Sequence, residues 1–315
     1  MADGRAGAWT CDPSWEPYLT WQVFLSAGQV SARQRGPAGD DAFASRRASV
    51  KGWLPVVEHA TRVGNRLLAA LPPADLALLA PHLRKVPLLH DAVLIRSGDR
   101  IEHLYFPCSG AIAFIMELPN GQTAATAVIG NDGAVGLMTA LGPLRSPMTA
   151  VVRVAGTALQ ITPARFQTAL ERSPALGSLV QLLTRALMTQ VQHVAACNAL
   201  HSVEARLARW LLHIHDRTEG GGDVLPLTQE TLSELLGVRR TTVTHVVSAL
   251  RTSRALKSSR RGQLDIDRQR LEAIACECYK VMSRRIDRIV SQDAVRLLHA
   301  ARNDCPPPGF PFANS

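Results

Sequence analysis

The sequence lacks any apolar run of the roughly 20 residues needed to span a bilayer, so no membrane partner is expected. Its amino terminus lacks a charged region followed by an apolar core and a small-residue cleavage site; the expected location is therefore cytoplasmic. Six cysteines lie scattered at 11, 108, 197, 276, 278 and 305, which is no disulfide framework for a chain of 315 residues. Cys276 and Cys278 stand two apart on a stretch that reads as helix. Side chains at that spacing point to nearly opposite sides, which argues against a shared metal, and no metal site is expected. His193, His201, His213 and His215 read as surface or core residues, because His213 and His215 are split across a helix. No His-Glu-x-x-His, nucleophile elbow, P-loop or catalytic carboxylate pair is present, so an enzyme is not expected. One further absence is local: no Asp or Glu occurs from Arg239 to Arg261. With a net charge of +9, this points to a polyanionic partner, double-stranded DNA first.

The stretch Leu227 to Leu250 explains what that basic segment is for. Thr228 is a good N-cap, and Leu232, Leu235 and Leu236 make one apolar face at helical spacing. Gly237 supplies the backbone freedom for a sharp turn, and Val238 plugs it. A second helix starts near Arg239 and buries Val243, Val246, Val247 and Leu250. Its other face carries Arg239, Arg240, Thr241, Thr244, His245 and Ser248, side chains suited to phosphates and base edges. Beyond it, a basic Arg260-Arg261-Gly262 tip sits between apolar Leu256 and the pair Leu264 and Ile266, which reads as a β-hairpin wing. Helix, turn, polar-faced helix and wing arrive in the order of a winged helix-turn-helix.

At these residues the chain resembles the Crp/Fnr family of transcription regulators. Thr228-Gln229-Glu230, Leu235-Leu236-Gly237-Val238, Arg239 to Thr244 and Arg260-Arg261-Gly262 carry the match, which extends over about Asn65 to Tyr279. The resemblance implies an α+β fold: an N-terminal β-roll of the cyclic-nucleotide-binding, jelly-roll type, a long dimerisation helix and a C-terminal winged helix-turn-helix. It implies a homodimer that reads DNA by sequence and a contact with RNA polymerase. Arg240, Thr241 and His245 take the base-reading positions of the family's motif. Thr228, Arg239, Thr242, Thr244, Arg260 and Arg261 are the candidates for phosphate contacts. An alternative is a nucleic-acid binder without sequence choice, carrying the roll as a ligand or protein-interaction module. A cupin-like catalytic roll lacks clustered His and Glu ligands in residues 84–162.

The rest of the chain divides accordingly. Residues 1–61, with Trp9, Trp15, Trp21 and Trp53, are expected to be a disordered extension. Residues 62–172 form the roll, with short strands expected at 84–89, 92–96, 103–107, 111–117, 123–129, 149–154 and 157–162, separated by Gly- and Asp-containing turns. Residues 173–202 are the dimerisation helix. Leu176, Val180, Leu183, Leu187, Gln190, Val194, Cys197 and His201 alternate at spacings of four and three, a heptad seam for a second copy. Residues 203–282 are the winged domain, ending in one helix from Asp267 to Ser283, and 283–315 are a further helix and a loose tail.

The family's cyclic-nucleotide binders use a cassette that begins Gly-Glu-Leu and ends Arg-Ser. The matching residues here are Gly133, Gly136, Arg145 and Ser146, the implied ligand pocket. Ala134 stands where the carboxylate for the ribose hydroxyl belongs. A buried unpaired hydroxyl costs about 1–3 kcal/mol, roughly tenfold to hundredfold in affinity, which argues against cyclic AMP and leaves the effector unknown. The family's iron–sulfur relatives need grouped N-terminal cysteines, and only Cys11 lies in that region.

Overall fold

The computed structural model describes residues 64–142, 145–218, 222–257 and 262–288. The N-terminal tryptophans, Arg260, Arg261 and the tail from 289 lie outside the described residues. Two short helices open the described residues, α1 (Arg66–Ala69) and α2 (Pro73–Leu79). Asn65 caps α1, accepting from the backbone N–H groups of Leu67 and Leu68 at 3.2 Å each. Pro73 occupies the first turn of α2, where a missing N–H costs nothing.

The roll is built from β1 (Arg84–Leu88), β2 (Val93–Ile95), β3 (Leu104–Glu117), β4 (Thr123–Ile129) and β5 (Thr149–Ile161). All pairings are antiparallel, in the order β1-β5-β3-β4, with β2 also on β5. The expected short strands at 103–107 and 111–117 are one 14-residue strand, and those at 149–154 and 157–162 are one of 13. The glycines read as turns are instead bulge sites. The β3–β5 register slips around Ser109 and Ala111, and a Cβ on Gly156 would lie 2.2 Å from the Ser109 carbonyl oxygen. A bulge bends a strand without ending it, so the sheet curls while its ladder continues. Inside the roll, Leu88, Ile95, Ile112, Phe114, Ala127 and Val152 are buried together.

α3 (Pro163–Leu170) leads to α4 (Pro174–Leu200), a 27-residue helix capped by Ser173, whose hydroxyl accepts from the Leu176 N–H at 3.1 Å. The winged domain follows: α5 (Val203–His215), β6 (Val224–Leu225), α6 (Gln229–Leu236), α7 (Arg240–Thr252), β7 (Leu256–Lys257), β8 (Leu264–Ile266), α8 (Arg268–Ile274) and α9 (Cys278–Arg288). The small sheet runs β6-β8-β7, so the wing is an antiparallel hairpin, as Leu256, Leu264 and Ile266 predict. Two expectations fail here. The single helix over Asp267 to Ser283 is broken: Ala275 is extended at φ −60°, ψ 141°, and a new helix begins at Cys278. The heptad seam faces inward. Leu176 and Val180 pack in the core under the roll, Gln190 donates to the Val128 carbonyl, and Val194 and Cys197 join the winged-domain core. Period shows that a helix face is apolar, but it cannot say what covers that face. Among the described residues no helix is long and apolar enough to cross a membrane.

Candidate nucleic-acid interface and sensor cavity

The helix-turn-helix is fixed by local chemistry. The Thr228 hydroxyl accepts from the Thr231 N–H at 3.1 Å and caps α6. Leu232, Leu235 and Leu236 are buried, and α6 ends at Gly237 in the left-handed region, φ 64°. A Cβ at Gly237 would meet Ala124 Cβ at 3.0 Å, so the turn needs glycine for its φ and for its approach to β4. The Arg206 guanidinium donates to the Leu236 carbonyl at 2.6 Å, placing a cation where the helix dipole is negative. Ser233 Oγ donates to the Val238 carbonyl and closes the turn.

On α7, Val243, Val247 and Leu250 are buried, which turns the polar side of the helix to solvent. Arg239, Arg240, Thr241, Thr244 and His245 are all exposed, and Thr242 is half-buried. Thr241 and His245 stand four apart on one strip of the helix, with Arg240 at its first turn. Thr244 Oγ donates to Gln229 Oε1 and to the Arg240 carbonyl, each at 3.1 Å, tying the two helices together. A concave groove is bordered by Thr228, Gln229, Arg240, Arg251 and Gln263. Gln229 and Arg251 were not among the expected contacts. Arg251 falls seven residues after Thr244, two helical turns along the same face, and that spacing is the signal that could have found it.

In the roll, Gly133, Gly136 and Ser146 line a cavity whose walls are mostly aliphatic, including Ile95, Phe114, Val128 and Leu187. Arg145 does not line it. Its side chain is exposed and donates to the Gly98 carbonyl at 2.9 Å. The guanidinium that does border the cavity is Arg217, from the segment after α5, and it is paired with Asp132 at 2.9 Å. The cavity therefore offers a cyclic nucleotide neither the expected arginine for its phosphate nor a carboxylate at position 134 for its ribose hydroxyl.

Two buried arginines join the roll to the winged domain. Arg217 donates to Asp132 and to the His213 carbonyl, both at 2.9 Å. Arg153, on β5, pairs with Asp91 at 2.9 Å and with Glu234 of α6. Neither pair was legible in the sequence, because the partners lie more than 60 residues apart and belong to no motif.

Close by, His213 is wholly buried, edge-on to Tyr279 at 5.2 Å, with neither ring nitrogen hydrogen-bonded among the described residues. Burial, then the charges of Arg217 and Arg209, hold it well below the usual imidazole value. Its folded value is depressed, so its contribution is fully present above the unfolded value of about 6.5 and is lost as pH falls below that. Below pH ~6.5 the wild type should lose about 1.4 kcal/mol per pH unit through this residue. Urea midpoints of wild type and His213→Phe at pH 7.5 and 5.5 check this: the wild type falls more steeply.

Comparison with known proteins agrees with this architecture. Residues 85–173 match the cyclic nucleotide-binding domain family, and residues 205–274 match the Crp-like helix-turn-helix domain family. A crp/fnr-family transcriptional regulator from Eubacterium rectale superposes with TM-score 0.54 at 18% identity, covering 66% of this chain and 96% of that one. FixK2 from Bradyrhizobium japonicum gives 0.52 at 18%, covering 62% and 98%. The c-di-GMP-responsive global regulator CLP from Xanthomonas campestris gives 0.51 at 19%, covering 62% and 99%. At these identities the likeness is one of fold. The search of curated proteins gave no significant match. With a cyclic-nucleotide-binding-type roll followed by a Crp-like helix-turn-helix, the chain belongs to the Crp/Fnr family of transcription regulators.

Proposed function

We propose that the protein acts in the cytoplasm as a homodimer that reads a two-fold symmetric DNA site with the exposed face of α7 and works with RNA polymerase. Binding, not catalysis, is the activity. The observation that carries this reading is the sorting of α7, with valines and Leu250 inward and Arg240, Thr241, Thr244 and His245 outward. Arg240, Thr241 and His245 are assigned to base edges. Thr228, Arg239, Thr242 and Thr244 are assigned to phosphates, joined by the wing residues Arg260 and Arg261. Gln229 and Arg251 are added as phosphate contacts from the groove.

The dimer seam is assigned to the outer face of α4. Thr184, Met188, Val191, Ala195 and Asn198 repeat at spacings of four and three. Met188 is 57% exposed and Val191 36%, large apolar side chains open to solvent on this face. A second copy covering this strip would set two recognition helices on one side of the duplex, about one DNA turn apart. Selection from a random duplex pool should then yield half-sites in two-fold relation. The double variant Met188→Glu/Val191→Glu should run as a monomer in light scattering. It should bind the selected site about 10²–10⁴-fold more weakly, because the second half-site no longer benefits from tethering. A dimer surviving this change would place the seam elsewhere.

A further inference from the structure

The break between α8 and α9 assembles a cluster that the function above does not use. Cys197 and His201 stand four apart at the end of α4, on one face. Cys276 lies in the break and Cys278 opens α9. A continuous helix would send these two cysteines to opposite sides; the extended backbone at Ala275 turns both toward the end of α4. The one Nδ1 or Nε2 of His201 and the three Sγ atoms that could serve as ligands all lie within 4.8 Å of one another. Cys197 Sγ is 3.5 Å from Cys276 Sγ, and Cys278 Sγ is 3.7 Å from His201 Nδ1.

We propose that Cys197, His201, Cys276 and Cys278 bind a single zinc(II) ion that clasps the end of α4 to the α8–α9 junction. Four ligands at zinc distances from a tetrahedral centre, 2.3 Å for sulfur and 2.0–2.1 Å for nitrogen, would stand about 3.5–3.8 Å apart. The Cys197–Cys276 and Cys278–His201 pairs stand at 3.5 and 3.7 Å, and the whole set, within 4.8 Å, needs only a small contraction to close on the ion. Ligands this close cannot surround a multi-iron cluster, and a thiolate-rich set favours zinc over hard cations.

Two independent features support the assignment. First, His201 turns Nδ1 to the sulfurs and Nε2 to the Glu277 carboxylate, 3.1 Å away. A metal-bound histidine characteristically donates its other ring N–H to such a carboxylate, which fixes the tautomer and orients the ring. Second, Arg209 is 0% exposed, and none of its three guanidinium nitrogens has a hydrogen-bond partner among the described residues. The guanidinium lies over the Trp210 ring, 4.4 Å from its centroid, but has no carboxylate beside it among the described residues, and a buried cation without a counter-charge is costly. Its charge acts on Cys197 and Cys276. Three thiolates, a neutral imidazole and zinc(II) carry a net charge of −1, which a single guanidinium balances. The clasp spans the point where the chain leaves α4, at His201, and enters α5, so it fixes how the winged domain is carried on the long helix.

The test uses the full-length protein purified from zinc-supplemented cells and passed over a chelating column. Elemental analysis should find about one zinc per chain. Cobalt(II) exchanged into the site should show thiolate-to-metal charge transfer and the intense ligand-field bands of a tetrahedral site. Cys278→Ser should lose both spectral features, while Cys108→Ser, distant from the cluster, should keep them. Glu277→Gln, at an exposed position that leaves the core intact, should bind zinc about 10- to 100-fold more weakly, as loss of a carboxylate partner does elsewhere. Zinc stripped by the column, cobalt spectra of octahedral type, or unaltered binding in both Cys278→Ser and Glu277→Gln would overturn the proposal. So would a Cys197–Cys276 disulfide found by mass spectrometry in metal-free protein.

Discussion

Replacing Asp132 with Ala should destabilise the protein by about 3–5 kcal/mol, the loss seen when one partner of a buried ion pair is removed. The Arg217 side chain is 6% exposed and that of Asp132 12%, so neither charge can turn to water when the other is gone. Arg217 would keep its bond to the His213 carbonyl, but a guanidinium would remain buried without its counter-charge. The aliphatic part of Arg217 also packs on Gly130, where an added Cβ would lie 2.5 Å from Cγ, so the side chain has little room to swing out. Urea unfolding at one fixed protein concentration measures the effect, since any dimer would otherwise add a concentration term. The double variant Asp132→Ala/Arg217→Met should recover much of the loss, because replacing both members of a buried pair with apolar groups is often neutral. If Asp132→Ala proved as stable as the wild type, this contact would not hold the winged domain to the roll.

The second large effect belongs to Arg240. It begins α7, is exposed, and spends no hydrogen bond of its side chain within the described residues that would compete with DNA. A bidentate arginine–guanine contact carries about 1–3 kcal/mol of discrimination. Two half-sites would double this to about 2–6 kcal/mol if the positions are additive, or roughly 30-fold to more than 10⁴-fold in affinity. On random DNA the same residue supplies only charge. Losing one phosphate-type interaction per subunit there should cost far less, with a shallower salt slope.

How much of this was legible beforehand follows from which forces are local. Thr228, Gly237 and the valines of α7 act through capping, backbone freedom and helical period, all visible within about 25 residues. The helix-turn-helix and its wing were therefore readable, as were the bounds of α4 from Ser173-Pro174. The long strands β3 and β5 were not, because a glycine that permits a bulge looks the same in sequence as one that permits a turn. The α4 face was misassigned for a related reason. Both of its sides carry a four-three repeat, and only the fold shows that Leu176, Val180 and Val194 are covered by the chain itself. The break at Ala275 carries no proline or glycine to announce it, which hid the convergence of Cys276 and Cys278. Arg145 matched a pattern, yet its bond to Gly98 points it away from the cavity.

The claim that α7 reads DNA by sequence is tested most directly by titrating wild type and Arg240→Ala onto two labelled duplexes, the one won by selection and a scramble of it. Fluorescence anisotropy at fixed salt gives the four affinities. The account predicts that the variant loses at least about 30-fold on the selected duplex and only severalfold on the scramble. Equal loss on both duplexes would contradict it, and would leave the basic face of the winged domain as a binder of nucleic acid without sequence choice.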